Sequence, residues 1–262
     1  MPFRKNVKAH KMFDSRSQRE LGQALGLWTE IKGLALVTGP TGVGKSITLR
    51  RFVLGLDESR FKVWRFHQVP TTPNGFLRSL SRLLGLPMRR HLADLFDQAR
   101  DHLSAYAENH GPHPVLLLDD AEGMRPEALD LMRRLTAGDL DAEDAFSVLM
   151  VGTEDLLRVL QHPVLASLRS RFGYAQQLRP FNLEDTLNYI RFHLEGAGAD
   201  PSVFTDEAAR ELFQASQGTP RAINQLALQG LIQAVVEGRD ELDGRFVHGL
   251  IASHPLYRGA DR

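Results

Sequence analysis

The sequence predicts an α/β protein with a mainly parallel sheet, followed by a small all-helical domain. Between residues 34 and 178, short apolar runs typical of buried strands alternate with amphipathic segments of helical spacing. After residue 181 no further strand is indicated, and three amphipathic segments follow. We therefore divide the chain into a basic arm, an α/β core, a helical domain and a tail, with the boundaries 1–19, 20–180, 181–250 and 251–262.

Each strand is predicted from its own pattern. Residues 34–38 and 114–118 are continuous apolar runs, as expected of strands that are buried on both faces. Residues 61–66 alternate apolar and polar side chains, and residues 145–151 and 175–178 complete the sheet. Helical segments separate each strand from the next, which predicts parallel neighbours.

The helices are predicted from apolar residues that recur at helical spacing. In the helical domain, Asn182 and Thr205 are suited to begin helices, and Gly196 and Gly218 are suited to end them. We expect a short helix within residues 247–262. The other predicted helices are 47–56, 75–84, 92–106, 126–136, 154–160, 183–196, 205–216 and 220–236.

A glycine-rich segment after the first strand matches the phosphate-binding pattern G-x-x-x-x-G-K-[ST]. Its glycines allow backbone N–H groups to close around phosphates, Lys45 is suited to reach the terminal phosphates, and the Ser46 hydroxyl is suited to bind Mg²⁺. The following helix adds the positive end of its dipole. A chance glycine-rich turn is the alternative, but the flanking strand and helix argue against it. The predicted nucleoside triphosphate site consists of Gly39, Pro40, Thr41, Gly42, Val43, Gly44, Lys45, Ser46 and Ile47.

Two acids, Asp119 and Asp120, directly follow the apolar run 114–118. Parallel α/β sheets bind ligands at the carboxyl edge, so we expect both acids to lie near the phosphate-binding segment. Asp119 is predicted to hold Mg²⁺ opposite Ser46. Asp120 is predicted to orient or deprotonate the attacking water. The alternative is a solvated strand end.

Composition excludes several classes of function. The 262 residues contain no cysteine, which excludes a disulfide, a thiol nucleophile and a Cys-based zinc site, and which fits a cytoplasmic protein. The 32 basic and 32 acidic residues cancel, so overall charge gives no reason to expect nucleic-acid binding. No apolar run approaches the roughly 20 residues of a membrane-spanning helix, so we expect no membrane partner.

Six segments of the chain form a specific combination. They are GPTGVGKS (39–46), LLLDDAEGM (116–124), LMVGTEDLLRVL (149–160), LRSRF (168–172), FTDEAARELF (204–213) and GTPRAINQL (218–226). This combination resembles AAA+ ATPases of the ExeA/GspA type, and within these most of all the transposition regulators of the TnsC and MuB type. The resemblance covers about residues 20–250 and implies an AAA+ P-loop core followed by a helical lid, with ATP and Mg²⁺ as ligands and ATP hydrolysis as the activity.

The resemblance also implies roles for single residues. Thr153, after the fourth strand, stands where such proteins sense the γ-phosphate. Arg169 or Arg171 resembles the finger that reaches the nucleotide of a neighbouring subunit, and Arg171 is the preferred candidate. Arg221 matches the lid arginine that contacts the γ-phosphate within one subunit. Because a finger in trans needs a neighbour, the resemblance implies ATP-dependent self-assembly into a ring or a helical filament.

One position departs from the family pattern. Most relatives read Asp-Glu-Ala where this chain has Asp119-Asp120-Ala121, so the water-activating carboxylate is one methylene shorter. We expect slow hydrolysis, because a displacement of about 1 Å can lower a rate roughly 100-fold. Glu122, two residues further along, is a candidate to compensate.

The first 19 residues hold six basic residues and one acid, Asp14. A solvated tail is the simpler interpretation. The resemblance instead implies sequence-independent contacts to the phosphates of double-stranded DNA. The candidate contacts are Lys5, Lys8, Lys11, Arg16, Thr71, Thr72, Arg89 and Arg90.

Three functions agree with these patterns. The preferred one is a regulator that marks target DNA and recruits or activates a transposase. The second is a secretion or envelope-assembly ATPase that works with a separate membrane partner, and the third is a scaffold that binds nucleotide without hydrolysing it. The first is preferred because secretion relatives are expected to carry a membrane segment and a peptidoglycan-binding part after the lid, for which this chain ends too soon.

Overall fold

The structure is a computed structural model that describes residues 2–3, 12–66, 68–108, 111–136 and 146–257. The chain divides into two compact units. The sheet unit comprises Leu21–Pro40 and Thr48–Leu178. The helical unit comprises the described residues before Leu21, the short segment Thr41–Ile47 and the described residues from Arg179 onward.

Five parallel strands form the sheet: β1 (Leu34–Thr38), β2 (Phe61–Phe66), β3 (His113–Leu118), β4 (Ser147–Gly152) and β5 (Phe172–Gln177). Their spatial order is β2-β3-β4-β1-β5. Every residue of β1 and β4 is buried, as expected of apolar strands that are covered on both faces. The prediction of an α/β fold with a mainly parallel sheet is confirmed.

The last strand begins three residues earlier than the predicted 175–178. β5 lies at an edge of the sheet and pairs with β1 alone among the described strands. Its residues alternate between half-buried and exposed, because one face of an edge strand meets solvent. The first three residues of this strand are therefore absent from a prediction that relies on continuous apolar runs. The predicted strand 145–151 also shifts, to Ser147–Gly152, and its first residue lies outside the described residues.

In the first part of the described chain, seven helices precede or alternate with the strands: α1 (Arg16–Ile31), α2 (Lys45–Gly55), α3 (Pro73–Leu83), α4 (Leu92–Glu108), α5 (Pro126–Thr136), α6 (Asp155–Leu160) and α7 (Ala166–Arg169). Thr72 caps α3 by accepting a hydrogen bond from the Gly75 N–H. Phe76, Leu95 and Leu116 are fully buried in one apolar cluster that joins these helices to the sheet. In the described ranges, no helix combines the length and apolar character that crossing a bilayer requires.

Helix α1 is not among the predicted helices, and it begins inside the segment assigned to the basic arm. Ser15 and Gln18 form a reciprocal cap: the Ser15 N–H donates to Gln18 Oε1 at 3.1 Å, and the Gln18 N–H donates to Ser15 Oγ at 3.3 Å. Leu21, Leu25 and Trp28 are buried at the spacing of one helical face. This apolar stripe, rather than the basic residues, accounts for the helix.

The helical unit contains four helices after residue 179: α8 (Leu183–Glu195), α9 (Asp206–Ser216), α10 (Pro220–Glu237) and α11 (Gly244–Ser253). Asn182 and Thr205 cap α8 and α9 as predicted, each accepting a backbone N–H on its side-chain oxygen. Helix α11 begins three residues before the predicted segment 247–262, because Asp243 supplies its cap. Phe3 and Phe13 pack into the apolar cluster of this unit.

Two histidines are half-buried, one in each unit. His113, at the start of β3, lies edge-on to Phe61, and its Nε2 is 2.8 Å from Ser147 Oγ. His193, on α8, stacks on Phe3. Burial lowers the pKa of each imidazole from 6.5 to about 4, because a charged ring loses its solvation there.

Stability is expected to fall as the pH drops from about 6.5 towards 4. In this window the unfolded chain binds protons at both histidines and the folded chain does not, so protonation favours unfolding. We expect each histidine to contribute a loss of about 1 kcal/mol at pH 5, allowing for the solvent that reaches both rings. Urea melts at pH 7.5 and pH 5 would measure this loss. His193→Phe should reduce the pH dependence and replacement of the exposed His91 should not; equal slopes in the two variants would contradict the assignment.

Candidate functional site

The phosphate loop, residues 39–46, leaves the buried strand β1 and enters α2 at Lys45, two residues before the predicted helix start. Gly42 and Gly44 have φ angles of 81° and 107°, in the region that glycine alone adopts without strain. Lys45 is 7% exposed, whereas Ser46 is exposed. Strand, loop and helix therefore follow one another as the phosphate-binding pattern requires.

Helix α10 begins beside the phosphate loop. The Arg221 N–H donates to the Gly42 carbonyl oxygen at 3.3 Å. A Cβ atom on Gly42 would lie 2.8 Å from Arg221 Cβ and 3.3 Å from Thr219 Cγ2, so this position needs glycine for space as well as for φ. The Arg221 side chain is exposed. The structure thus brings Arg221 to the loop, while its contact with a γ-phosphate stays a prediction.

A second neighbour of the loop, Gln18, is missing from the predicted site. It is 6% exposed, and its Nε2 would lie 2.8 Å from a Cβ atom on Gly44. The same side chain forms the reciprocal cap of α1 with Ser15. The S-x-x-Q pattern of residues 15–18 is the sequence signal that identifies Gln18 as a capping residue, although it does not reveal the contact with the loop.

Asp119 follows β3 at the carboxyl edge of the sheet, and its side chain is 8% exposed. Its Oδ2 accepts a hydrogen bond from Arg65 Nη2 at 3.1 Å. Its Oδ1 is buried and has no hydrogen-bond partner among the described residues. Arg65 is a further residue that the sequence analysis missed. Its only signal is its position near the end of β2, where it pairs with Leu117 of β3.

The Oδ1 atom of Asp119 fits Mg²⁺ as a ligand. A buried carboxylate oxygen without a partner is costly, and a hard cation that prefers oxygen ligands is a suitable partner. Asp119 would hold the ion, which supplies positive charge against phosphate oxygens when it is bound. The protein prepares the Asp119 ligand by holding one of its oxygens with Arg65 and leaving the other unpaired within the described part of the chain.

Three further polar residues lie directly after β3 and β4, which are neighbours in the sheet. Asp120 has a left-handed backbone with φ 58°, and its side chain is exposed. Glu122 lies in the short 3-10 turn Ala121–Gly123, and its Oε2 is buried. The Thr153 hydroxyl, which follows β4, is also buried. Neither Glu122 Oε2 nor Thr153 Oγ1 has a hydrogen-bond partner in the ranges that the structure describes.

The two candidate finger arginines differ in their contacts. Arg169 Nη1 donates to the Leu160 carbonyl oxygen at 2.6 Å, at the end of α6. Arg171 is half-buried, and its Nη1 lies 3.4 Å from the Arg133 carbonyl oxygen and 3.5 Å from Thr136 Oγ1. A short hydrogen bond to a helix-terminal carbonyl is a structural role for Arg169.

Arg171→Ala is expected to lower ATP turnover by about 100-fold or more, while Arg169→Ala mainly lowers the melting temperature. The first estimate follows from the charge that an arginine finger supplies to the transition state. Arg169→Ala removes the bond that holds the end of α6, at a cost of about 1 kcal/mol in stability. Turnover and thermal melts of both variants would test this assignment. Loss of turnover in Arg169→Ala alone would identify Arg169 as the finger.

The candidate DNA contacts are not brought together by any contact that the structure shows. Lys5, Lys8 and Lys11 lie outside the described residues. Arg16 pairs with Glu20 at 2.8 Å, and Arg89 donates to Gln98 at 2.8 Å in an open depression that Asp94 and Asp101 also line. The Thr72 hydroxyl caps α3, and the Thr71 carbonyl oxygen accepts from the Arg125 N–H. Arg90 is exposed. DNA binding by these residues stays a prediction.

Residues 29–160 match a family model described as an AAA domain. The chain is 31% identical over 222 residues to "General secretion pathway protein A" of Aeromonas hydrophila. This alignment covers 84% of the chain and 40% of the relative, so the chain spans less than half the length of that protein.

Solved structures share the fold at lower identity. Cdc6p of Pyrobaculum aerophilum superposes with a TM-score of 0.67 at 19% identity, over 91% of this chain and 66% of that one. The ORC1 protein of Aeropyrum pernix, solved in complex with DNA, gives a TM-score of 0.58 at 17% identity, over 90% and 64% of the two chains. The matched domain includes the phosphate loop and Asp119. The chain belongs to the AAA domain family, and it is an AAA+ P-loop ATPase whose parallel α/β core is followed by a helical C-terminal part.

Proposed function

We propose that the chain is an ATPase of the ExeA/GspA type that acts in secretion or envelope assembly together with a separate membrane partner. The observation that carries this proposal is the 31% identity, over 84% of the chain, to a protein named for general secretion. The name of this relative favours a secretion role over the transposition regulator preferred from the sequence, and it gives no support to the expectation of no membrane partner.

The nucleotide is proposed to be ATP with Mg²⁺. The phosphate loop binds the phosphates through its backbone and through Lys45, and Ser46 and Asp119 hold the cation. The buried state of Lys45 and the unpaired, buried Oδ1 of Asp119 support these roles. Thr153 senses the γ-phosphate, and a carboxylate of the segment after β3 orients water. The Arg221 backbone contact with Gly42 supports the proposed lid role of Arg221.

Self-assembly is proposed to depend on ATP, with Arg171 reaching the nucleotide of the neighbouring subunit. The supporting observations are that Arg171 lies in the LRSRF segment, and that the other candidate, Arg169, is engaged by a 2.6 Å hydrogen bond to the Leu160 carbonyl oxygen. A finger in trans requires repeated head-to-tail contacts, which generate a ring or a helical filament.

A DNA-binding regulator that recruits a transposase remains the second candidate. Its supporting observation is the N-terminal segment with six basic residues and one acid. Such a segment predicts salt-dependent and sequence-independent affinity for DNA phosphates.

The test replaces the chromosomal gene with one encoding Lys45→Ala in the source organism. We expect less protein in the culture medium and an unchanged transposition frequency. Normal secretion together with a lower transposition frequency would overturn the proposal in favour of the second candidate. In parallel, the purified chain is titrated with a random-sequence DNA duplex, with and without ATPγS and at two salt concentrations. Tight binding that requires nucleotide and weakens with salt would also favour the second candidate.

A further inference from the structure

Two carboxylates of the segment after β3, Asp120 and Glu122, differ in how the fold holds them. Asp120 directly follows Asp119, but its backbone is left-handed, with φ 58°, and its side chain is exposed to solvent. A non-glycine residue in this conformation is uncommon, and it turns the chain between Asp119 and the following 3-10 turn. A water-orienting group needs a fixed position relative to the reacting phosphorus.

Glu122 is held over the last residue of β4. A Cβ atom on Gly152 would lie 2.6 Å from Glu122 Oε2 and 2.9 Å from Leu156 Cδ2. The φ angle of Gly152 is not in the left-handed region, so its backbone conformation does not call for glycine. Because Gly152 has no side chain, the carboxylate of Glu122 can lie directly against its Cα.

The place of this carboxylate within the sheet unit fits a role in hydrolysis. β4 lies between β3, which ends at the predicted cation ligand Asp119, and β1, which leads into the phosphate loop. Glu122 Oε2 and the neighbouring Thr153 Oγ1 are both buried and, within the described ranges, both lack a hydrogen-bond partner. A buried acceptor and a buried hydroxyl without partners are each costly, and a bound water is a suitable partner for groups of this kind.

We propose that Glu122, rather than Asp120, is the carboxylate that orients and deprotonates the attacking water, with Gly152 providing its seat. The inference rests on the proposed ATP site. The water oxygen bonds to the γ-phosphorus, the bond from that phosphorus to the β–γ bridging oxygen breaks, and ADP leaves with the bonding electrons. Glu122 accepts one proton of the water and returns it to the inorganic phosphate or to solvent. Thr153 donates a hydrogen bond to, or accepts one from, the same water.

The experiment compares Glu122→Gln with Asp120→Asn, two changes that remove charge and preserve shape. We expect Glu122→Gln to lower kcat about 100-fold or more, in line with the usual contribution of a general base. The dissociation constant for a fluorescent ATP analogue should stay within about 3-fold of the unchanged protein, since the charge acts on the water. Asp120→Asn should lower kcat by less than about 5-fold, as expected of a group outside the reacting atoms. Glu122→Asp, which retains a carboxylate, should keep part of the turnover.

Further variants separate chemistry from folding. Gly152→Ala adds a methyl group where Oε2 sits and should lower kcat without changing any charge, whereas Glu127→Gln changes an exposed carboxylate and should leave kcat unchanged. Thermal melts show whether each variant is folded. The inference would be overturned if Asp120→Asn lost kcat while Glu122→Gln kept it. It would also be overturned if both variants lost kcat equally, or if both kept an unchanged kcat. A rise in kcat of Asp120→Glu would also count against it. Failure of the unchanged chain to bind the analogue more tightly than Lys45→Ala would instead refute the ATP site itself.

Discussion

Lys45→Ala is expected to weaken ATP binding about 100-fold or more and to abolish nucleotide-dependent assembly. The ammonium group is the point charge that the loop offers to the phosphates, and hydrogen bonds to charged groups contribute about 1.5–3 kcal/mol each. Because Lys45 is 7% exposed, its charge is poorly screened by solvent, which enlarges the loss. Titration with a fluorescent ATP analogue measures the affinity, and size-exclusion chromatography with ATPγS measures the assembly.

Lys62→Ala is the matched control for this experiment. Lys62 is exposed on β2. Lys62→Ala removes the same charge and the same number of side-chain atoms as Lys45→Ala. The control should bind and assemble like the unchanged chain. Thermal melts must show that Lys45→Ala is folded, since a buried side chain is being shortened. Unchanged affinity in a folded Lys45→Ala protein would exclude the proposed role of the phosphate loop.

Gly218→Ala is expected to destabilise the helical unit by about 3 kcal/mol or more, which places it among the most severe single substitutions. Gly218 has φ 67°, and a Cβ atom there would lie 2.0 Å from the Phe181 carbonyl oxygen. The atoms in its way are backbone atoms, which cannot rotate aside as a flexible side chain can. The clash also opposes the hydrogen bond from the Phe181 N–H to the Gly218 carbonyl oxygen, which is 2.9 Å long.

Gly238→Ala separates the clash from backbone strain. Gly238 has nearly the same φ, 65°, but in the described part of the chain its Cβ position has no heavy atom within 4 Å other than those of the adjoining backbone. This control should therefore cost only the left-handed strain of a side chain, about 1–2 kcal/mol. Chemical denaturation of both variants gives the comparison. Equal losses would show that the contact with Phe181 contributes nothing.

Most of the fold could be predicted because each element carries its own local signal. The buried strands β1 and β3 are continuous apolar runs, and Asn182 and Thr205 mark the starts of α8 and α9. Helix α1 shows why charge is a weaker guide than apolar spacing. Its first turn is basic, but the buried stripe that includes Leu21 determines that it folds.

The candidate site was predicted less completely, because part of it depends on contacts between distant segments. The phosphate loop and Asp119 follow from consecutive residues, and the match to the AAA domain includes both. Arg65 and Asp119 are 54 residues apart along the chain, and their ion pair depends on the pairing of β2 with β3. The position of the Glu122 carboxylate depends on Gly152, because a side chain at residue 152 would occupy the same space.

The contact between Gly42 and the start of α10 means that these positions cannot vary independently. A side chain at residue 42 would have to displace Arg221 Cβ and Thr219 Cγ2, and it would disturb the hydrogen bond from the Arg221 N–H. Substitutions in the loop and in α10 should therefore show non-additive effects in double-mutant cycles, as residues in direct contact do. Any redesign of the loop for a different nucleotide has to change residue 42 and residues 219–221 together.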